Sequence, residues 1–385
     1  MTMRPRNVYE YRTLARKRLP RAFFEFMDRG SEDELVLRDN RSAFDALKLT
    51  SKVLVDVSQS DTSLELFGAK IAAPLIIAPT CLADMMSYQG EIALAKAASA
   101  ARVPFVLTTS STIPLEVIAS YATSGFWLQH YVWDNRAASR EVIARAHDAG
   151  ADALMLTVDS PVFPKREYND HNGFSSPPTF NARLAMDIAM HPRWFCSVLF
   201  RYLISGGMPR FVNHPASVGD QIVGRKTFLP TSRSVTWRDM DDFRKLWQRP
   251  LIVKGILNRA DARLAVDHGM DGIVVSNHGG RTSDSFPASL DVLSGIVDAV
   301  GTEVTVLFDG GIRRGSDIAK ALCLGARAVM AGRSPLYGVA ADGENGALDV
   351  LSLLVDELGR TMAYMGASKI AEIGPANLVL PSVRK

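Results

Sequence analysis

The stretch 273-IVVSNHGGRTSD-284 decides how this chain is read. It opens with three β-branched residues, the mark of a buried strand, and passes without a spacer into Ser276, Asn277, His278, Gly279, Gly280 and Arg281. A titratable base, two flexible glycines and a permanent cation at the end of an apolar strand suit no structural turn. They suit an α/β fold, in which function gathers at the C-terminal ends of the strands.

Seven more runs of this kind flank the stretch, which itself contains GIVVSN (272–277). They are PLIIAPT (74–80), PFVLTT (104–109), GFWLQHYV (125–132), ALMLTVD (153–159), LIVKGI (251–256), VTVLFDGG (304–311) and AVMAGR (328–333). Helical patterns such as GEIALAKAASAA, ASREVIARAHDAG, NRADARLAVDHG and GSDIAKALCLGA separate them, several ending in the glycine that favours a helix C-terminus. Eight strand-then-helix units predict an α/β protein built as a (β/α)8 barrel. A dinucleotide-binding sheet lacks support, because no strand is followed by G-x-G-x-x-G.

The 385 residues suit one large barrel domain spanning 1–385, with an N-terminal extension over 1–65 and a long insertion over 160–250. Within the extension, SAFDAL and the basic RTLARKR read as helices. With 47% hydrophobic and 22% charged residues the chain can bury a large core, and a net charge of only +3 excludes the concentrated basic face of a nucleic-acid binder. Cys81, Cys196 and Cys323 are widely spaced and odd in number, so neither a disulfide framework nor a metal site is expected. The first twenty residues lack a secretory apolar core, and no apolar run reaches the roughly 18 residues of a membrane span. A cytoplasmic location is the expectation.

In a barrel, the strand ends converge on one mouth. Gly310 and Gly311 with Arg313, and Gly332 with Arg333, follow strands seven and eight, where bare amides and cationic side chains commonly hold phosphate. Lys254 lies in an apolar strand; it either forms a Schiff base with a carbonyl substrate, stabilises negative charge on a cofactor, or belongs to a structural ion pair. His278 accepts a proton near neutral pH if a carboxylate orients its ring, and Asp159 at the end of strand four is the candidate. Arg281 and Arg166 can each hold a carboxylate by a two-pronged pair.

Taken together, SNHGGR (276–281) and DGGIRRGSD (309–317), supported by APT, LTVDSP, KREYNDHNGF, VKGI and AGR, resemble the FMN-dependent 2-hydroxy acid oxidase and dehydrogenase family over nearly the whole chain. The resemblance implies FMN across the barrel mouth. Backbone at Ala78, Pro79 and Thr80, with Ser110, Gln129 and Thr157, would hold its ring, and Lys254 would stabilise the reduced anion. Ser276, Asp309, Gly311, Arg313, Gly332 and Arg333 would bind the ribityl chain and phosphate. His278 would act as base during oxidation of an (S)-2-hydroxy acid such as lactate or mandelate, whether the C2 hydrogen leaves as proton or hydride. Asp159 would steady its imidazolium, Tyr131 would bond the substrate oxygen, and Arg166 and Arg281 would clamp the carboxylate. Electrons would pass to oxygen or a quinone-type acceptor, and a homotetramer is the expected assembly.

Three departures from the family pattern stand out. Phe24 in RAFFEFMDRG is read as replacing a carboxylate-binding tyrosine, which removes a hydrogen bond and favours a bulkier substrate. Cys81 replaces a small residue beside the expected ring edge, where its sulfur would alter access of oxygen or substrate. Asn169 stands where aspartate is usual. The insertion also carries HPRWFCSVLFRYLISGGMPRF (191–211), too short to span a bilayer but apolar and arginine-flanked, as interfacial segments are. A membrane-associated member of the family has its membrane segment in the corresponding region, so peripheral contact with the inner face of the cytoplasmic membrane through 191–211 stands beside simple packing on the barrel. Two other readings stay open: a phosphate-binding barrel aldolase or isomerase using Lys254, and a flavoprotein whose chemistry Phe24 and Cys81 have altered.

Overall fold

The computed structural model describes residues 4–174, 181–214 and 231–379; parts of the 160–250 insertion, 175–180 and 215–230, lie outside the described residues. Eight parallel strands close into a barrel: β1 Leu75–Ile77, β2 Phe105–Thr108, β3 Phe126–Tyr131, β4 Ala153–Thr157, β5 Leu251–Ile256, β6 Gly272–Val275, β7 Thr305–Asp309 and β8 Ala328–Ala331. They neighbour one another in chain order, and β8 closes on β1 through Met330 opposite Ile76. Several strands stop short of the predicted ends, so Asp159, His278, Gly311 and Arg333 lie just beyond them, where the ladder gives way to loops and, at Arg333, to the start of a helix.

Each strand sends at least one apolar side chain into the barrel: Ile76, Val106, Trp127, Met155, Ile252, Val274, Leu307 and Met330, with Ala153 and Ala328 beside them. Their strand neighbours, such as Leu107, Leu128, Val253 and Val329, pack outward under the helices, so both faces are apolar and the runs read as continuous. The floor is closed by a hairpin, Leu64–Leu66 paired with Ala69–Ile71, that the sequence reading missed. Its tip turns through left-handed Phe67 and Gly68, and the Phe67 ring meets Trp127 edge-on at 5.7 Å. Gly272 opens β6 because a Cβ there would stand 2.9 Å from that ring.

The extension forms α1 Val8–Arg18, α2 Arg21–Asp28 and α3 Leu35–Ala46. α1 and α3 answer to the two expected helices; α2 was not foreseen. Asp284, the last residue of the opening stretch, accepts from the Leu35 and Val36 amides and so caps α3 at the mouth. α2 lies beside it with its C-terminal end over the cavity. Trp194, fully buried in the insertion, donates to the Met85 carbonyl at 2.9 Å and stacks on Phe23 of α2 at 4.8 Å, which fixes residues 192–205 against the barrel.

Candidate active site

The turn after β6 explains its glycines. His278, Gly279 and Gly280 all have positive φ, at 59°, 66° and 73°. A Cβ on Gly280 would stand 2.7 Å from the Leu37 amide of α3, and one on Gly279 3.0 Å from the Arg333 guanidinium. A non-glycine residue held left-handed costs roughly 1 kcal/mol or more, a strain that persists only where the surroundings fix it. Here Asn277 and Asn40 of α3 exchange amide hydrogen bonds at 3.0 and 2.9 Å, and the His278 amide donates to Ser276 Oγ at 3.0 Å.

That turn aims the imidazole. His278 Nδ1 lies 3.0 and 3.1 Å from the two Asp159 oxygens, and Nε2 lies 3.2 Å from the Tyr131 hydroxyl. Pairing Nδ1 with a carboxylate assigns its proton there and leaves the Nε2 lone pair facing the cavity. Burial lowers the His278 pKa, with the Asp159 charge opposing it, so the net shift is downward. Burial alone would raise Asp159, but the charges of His278 and Lys254 and the hydrogen bonds from His278 and Ser160 outweigh it, and the carboxylate lies below its usual range. Burial, reinforced by the Asp159 charge, pushes the Tyr131 phenol up, so its hydroxyl keeps its proton.

An imidazole with a lowered pKa stays neutral further into acid, so a reaction that used His278 as its base would keep its rate there. The acid limb of kcat/KM is therefore expected to have its midpoint below the 6.5 of an ordinary histidine. In Asp159→Asn the opposing charge is gone and the limb should move lower still while the rate falls. A pH profile of both proteins at saturating acceptor checks this; an unmoved limb in the variant would count against it.

Lys254 is 3% exposed, donates to Ser276 Oγ at 3.0 Å and pairs with Asp309 at 3.3 Å. Ser276 Oγ in turn donates to Asp309 at 3.0 Å. An ammonium committed to an ion pair suits charge stabilisation; a Schiff-base amine would need to be free. Arg281 is aimed by α2, its Nη1 donating to the carbonyls of Phe26 and Arg29 at 2.7 and 3.0 Å with the guanidinium over the Phe26 ring. Arg166 donates to the Arg281 carbonyl at 3.0 Å, and its buried Nε has no partner. Burial and the neighbouring Arg166 lower Arg281 to about 10, which still leaves a cation at neutral pH. Arg333 donates to the carbonyls of Met27, Gly279 and Arg29, again fixing the mouth to α2.

These groups surround a cavity of about 370 Å³. Ala78, Pro79, Thr80, Cys81, Ser110, Gln129, Tyr131 and Lys254 line it, together with Asp309, Gly311, Arg313, Gly332 and Arg333 and with His278, Arg166 and Arg281. Ser276 and Thr157 stand behind this wall: Ser276 is fully buried, and Thr157 takes the Gln129 amide at 2.8 Å while bordering a smaller cavity of about 240 Å³. Asp159 sits beneath His278. Cys81 points its sulfur at the Ser110 carbonyl, 3.6 Å away, and burial raises its thiol so that it stays protonated. Asn169 is buried, and its side-chain oxygen finds no partner.

Phe24 corrects the sequence reading. Its ring packs in the core between α1 and α2, with Arg12 over it, and does not line the cavity. Residues two positions apart on a helix point to different sides, and it is Phe26, with Met27, that meets the mouth. A phenylalanine still occupies this wall, so it offers no hydroxyl. The α2 carbonyls and Met27 were also missed; the only cue was the aromatic run FFEF after Leu19-Pro20.

The charge of its lining suits the cavity to an anion. Six cationic side chains, Arg166, Arg233, Lys254, Arg281, Arg313 and Arg333, line it against the single carboxylate Asp309, and the Arg166 Nε is left over. Residues 15–380 match the family model described as FMN-dependent dehydrogenase. The chain belongs to the FMN-dependent dehydrogenase family. It is 38% identical over 371 residues to the (S)-mandelate dehydrogenase of Pseudomonas putida, spanning 96% of this chain and 92% of that one. It is 40% identical over 376 residues to an L-lactate dehydrogenase of Azorhizobium caulinodans, spanning 96% and 97%. The solved structure of the monotopic membrane protein (S)-mandelate dehydrogenase superposes with a TM-score of 0.89 at 36% identity, over 98% of this chain and 100% of that one. The chain is therefore an FMN-dependent oxidoreductase on a (β/α)8 barrel, and the aldolase reading is set aside. The donor set fits this cofactor.

Proposed function

We propose that the protein oxidises an (S)-2-hydroxy acid with an apolar substituent to the 2-oxo acid, with His278 as the base. The observation that carries this is the orientation of one imidazole, fixed by Asp159 on one side and open toward Tyr131 and the cavity on the other. Bound FMN supplies the two-electron acceptor. Its ring would rest on Ala78, Pro79 and Thr80, with Ser110, Gln129, Thr157 and Lys254 beside it. Its ribityl chain and phosphate would lie along Ser276, Asp309, Gly311, Arg313, Gly332 and Arg333.

Arg281 and Arg166 hold the substrate carboxylate, and Tyr131 donates to the 2-oxygen. His278 Nε2 takes a proton, and Asp159 stabilises the imidazolium that results. Lys254 would supply positive charge to the bound cofactor. Phe26, Val162, Phe163 and Leu336 give the substituent an apolar wall. Anaerobic mixing of the yellow protein with aliphatic and aromatic 2-hydroxy acids tests the reading: bleaching by mandelate-like acids is expected. No bleaching by any of them would overturn it.

The acceptor is a quinone-type molecule on this reading, in line with the dehydrogenase names of the relatives above. Cys81 then acts as a screen against oxygen. Bleached protein should recolour faster with a soluble quinone than with air, and Cys81→Ala should narrow the gap; equal oxygen rates in the two proteins would remove that role.

The segment 191–211 favours a membrane surface as the place of that exchange. Within it Phe200, Leu203, Ile204 and Met208 are 47%, 50%, 69% and 41% exposed, apolar side chains of the kind an interfacial segment presents. Among the described residues no helix is long and apolar enough to cross a membrane, so contact would be peripheral. Recovery of all the protein in the soluble fraction at low salt without detergent would exclude this contact.

A further inference from the structure

The strand β5 contains an irregularity that the chemistry above does not use. Its pairing with β6 shifts register between Lys254 and Ile256. Ile252 faces the barrel interior and Val253 the outer layer, so strict alternation would turn Lys254 and Ile256 both inward. Instead Ile256 packs in the outer layer with Val253. Gly255 absorbs the extra residue with φ 113°, a conformation that side-chain-bearing residues rarely adopt.

The space where a Gly255 side chain would stand is filled. A Cβ there would lie 2.5 Å from Asp159 Cβ, 2.8 Å from Asp159 Cγ and 3.1 Å from the Asp159 amide. The chain reaches this point because β4 continues its ladder one step past its end, the Val158 amide donating to the Lys254 carbonyl at 3.0 Å. Asp159 thus rests on bare backbone, and from that seat its carboxylate reaches His278 Nδ1 at 3.0 Å. Ser160 Oγ holds the same oxygen from the other side at 3.2 Å.

We propose that Gly255 is a positioning residue for the reaction: its missing side chain gives the carboxylate partner of His278 its place. This rests on the reading of His278 and Asp159 as a working pair. Nothing else on β5 has to change for the effect to be seen, because any side chain at 255 must push Asp159 away or bend the strand.

The test compares Gly255→Ala in two backgrounds, as the FMN-loaded protein. In the otherwise native protein kcat should fall at least tenfold, with the acid limb of the pH profile moving the way it moves in Asp159→Asn. In Asp159→Gly, which removes the two closest of these contacts, the same change should cost at least fivefold less. An equal loss in both backgrounds, or an unmoved pH limb, would mean that Gly255 serves only the backbone and would overturn the proposal. If the single variant does not fold, recovery of soluble yellow protein in the double variant supports the proposal, and failure of both defeats it. An Asp159→Asn protein with unchanged kcat and pH profile would instead defeat the His278–Asp159 reading beneath it, which keeps the two failures distinct.

Discussion

His278→Gln is expected to lose about 10³- to 10⁴-fold in kcat while binding FMN in full, the upper range for removing a positioned general base. Glutamine keeps a polar side chain in the turn but offers no basic nitrogen, and the turn itself is held by Asn277, Asn40 and the two glycines rather than by the imidazole. The measurement is single-turnover bleaching under anaerobic conditions, with the flavin spectrum as control for the fold. Loss of flavin together with activity would assign His278 to the cofactor site instead. Retention of more than a tenth of the rate would remove it from the chemistry.

Arg281→Met should cost about 10²- to 10³-fold in kcat/KM, most of it in KM. Removing one partner of a buried, hydrogen-bonded charge pair costs about 2–5 kcal/mol, and each 1.4 kcal/mol is tenfold. The guanidinium is held by the Phe26 and Arg29 carbonyls, so its orientation is set before substrate arrives. Lysine at this position is expected to restore little, since a point charge lacks the flat two-pronged geometry. Comparing a 2-hydroxy acid with its amide isolates the effect: the native protein should strongly prefer the acid, and the variant should not. An unchanged preference would show that the carboxylate is held elsewhere.

Parts of this site were open to reading from the chain alone because their signals are local. His278, Arg281, Gly311 and Arg333 each follow an apolar run within a few residues, and a barrel brings all such ends to one mouth whatever the details of packing. Lys254 betrayed itself as a charge inside an apolar strand. The hairpin under the barrel escaped notice because three-residue strands carry too little periodicity to register. Phe24 was assigned to the pocket and Phe26 passed over for a related reason: sequence order says that both rings lie on one short helix, but only the helix's rotation against its neighbours decides which ring faces inward.

The sequence by itself determined the eightfold alternation of strand and helix, the mouth at which its polar ends meet, and the family to which those ends correspond, because each of these depends on residues adjacent in the chain. The tertiary structure alone decided which wall α2 supplies, how its carbonyls aim Arg281 and Arg333, and why Gly255 must be bare. Those features arise where segments distant in sequence press against one another, and the space between such surfaces leaves no periodic trace in either strand or helix.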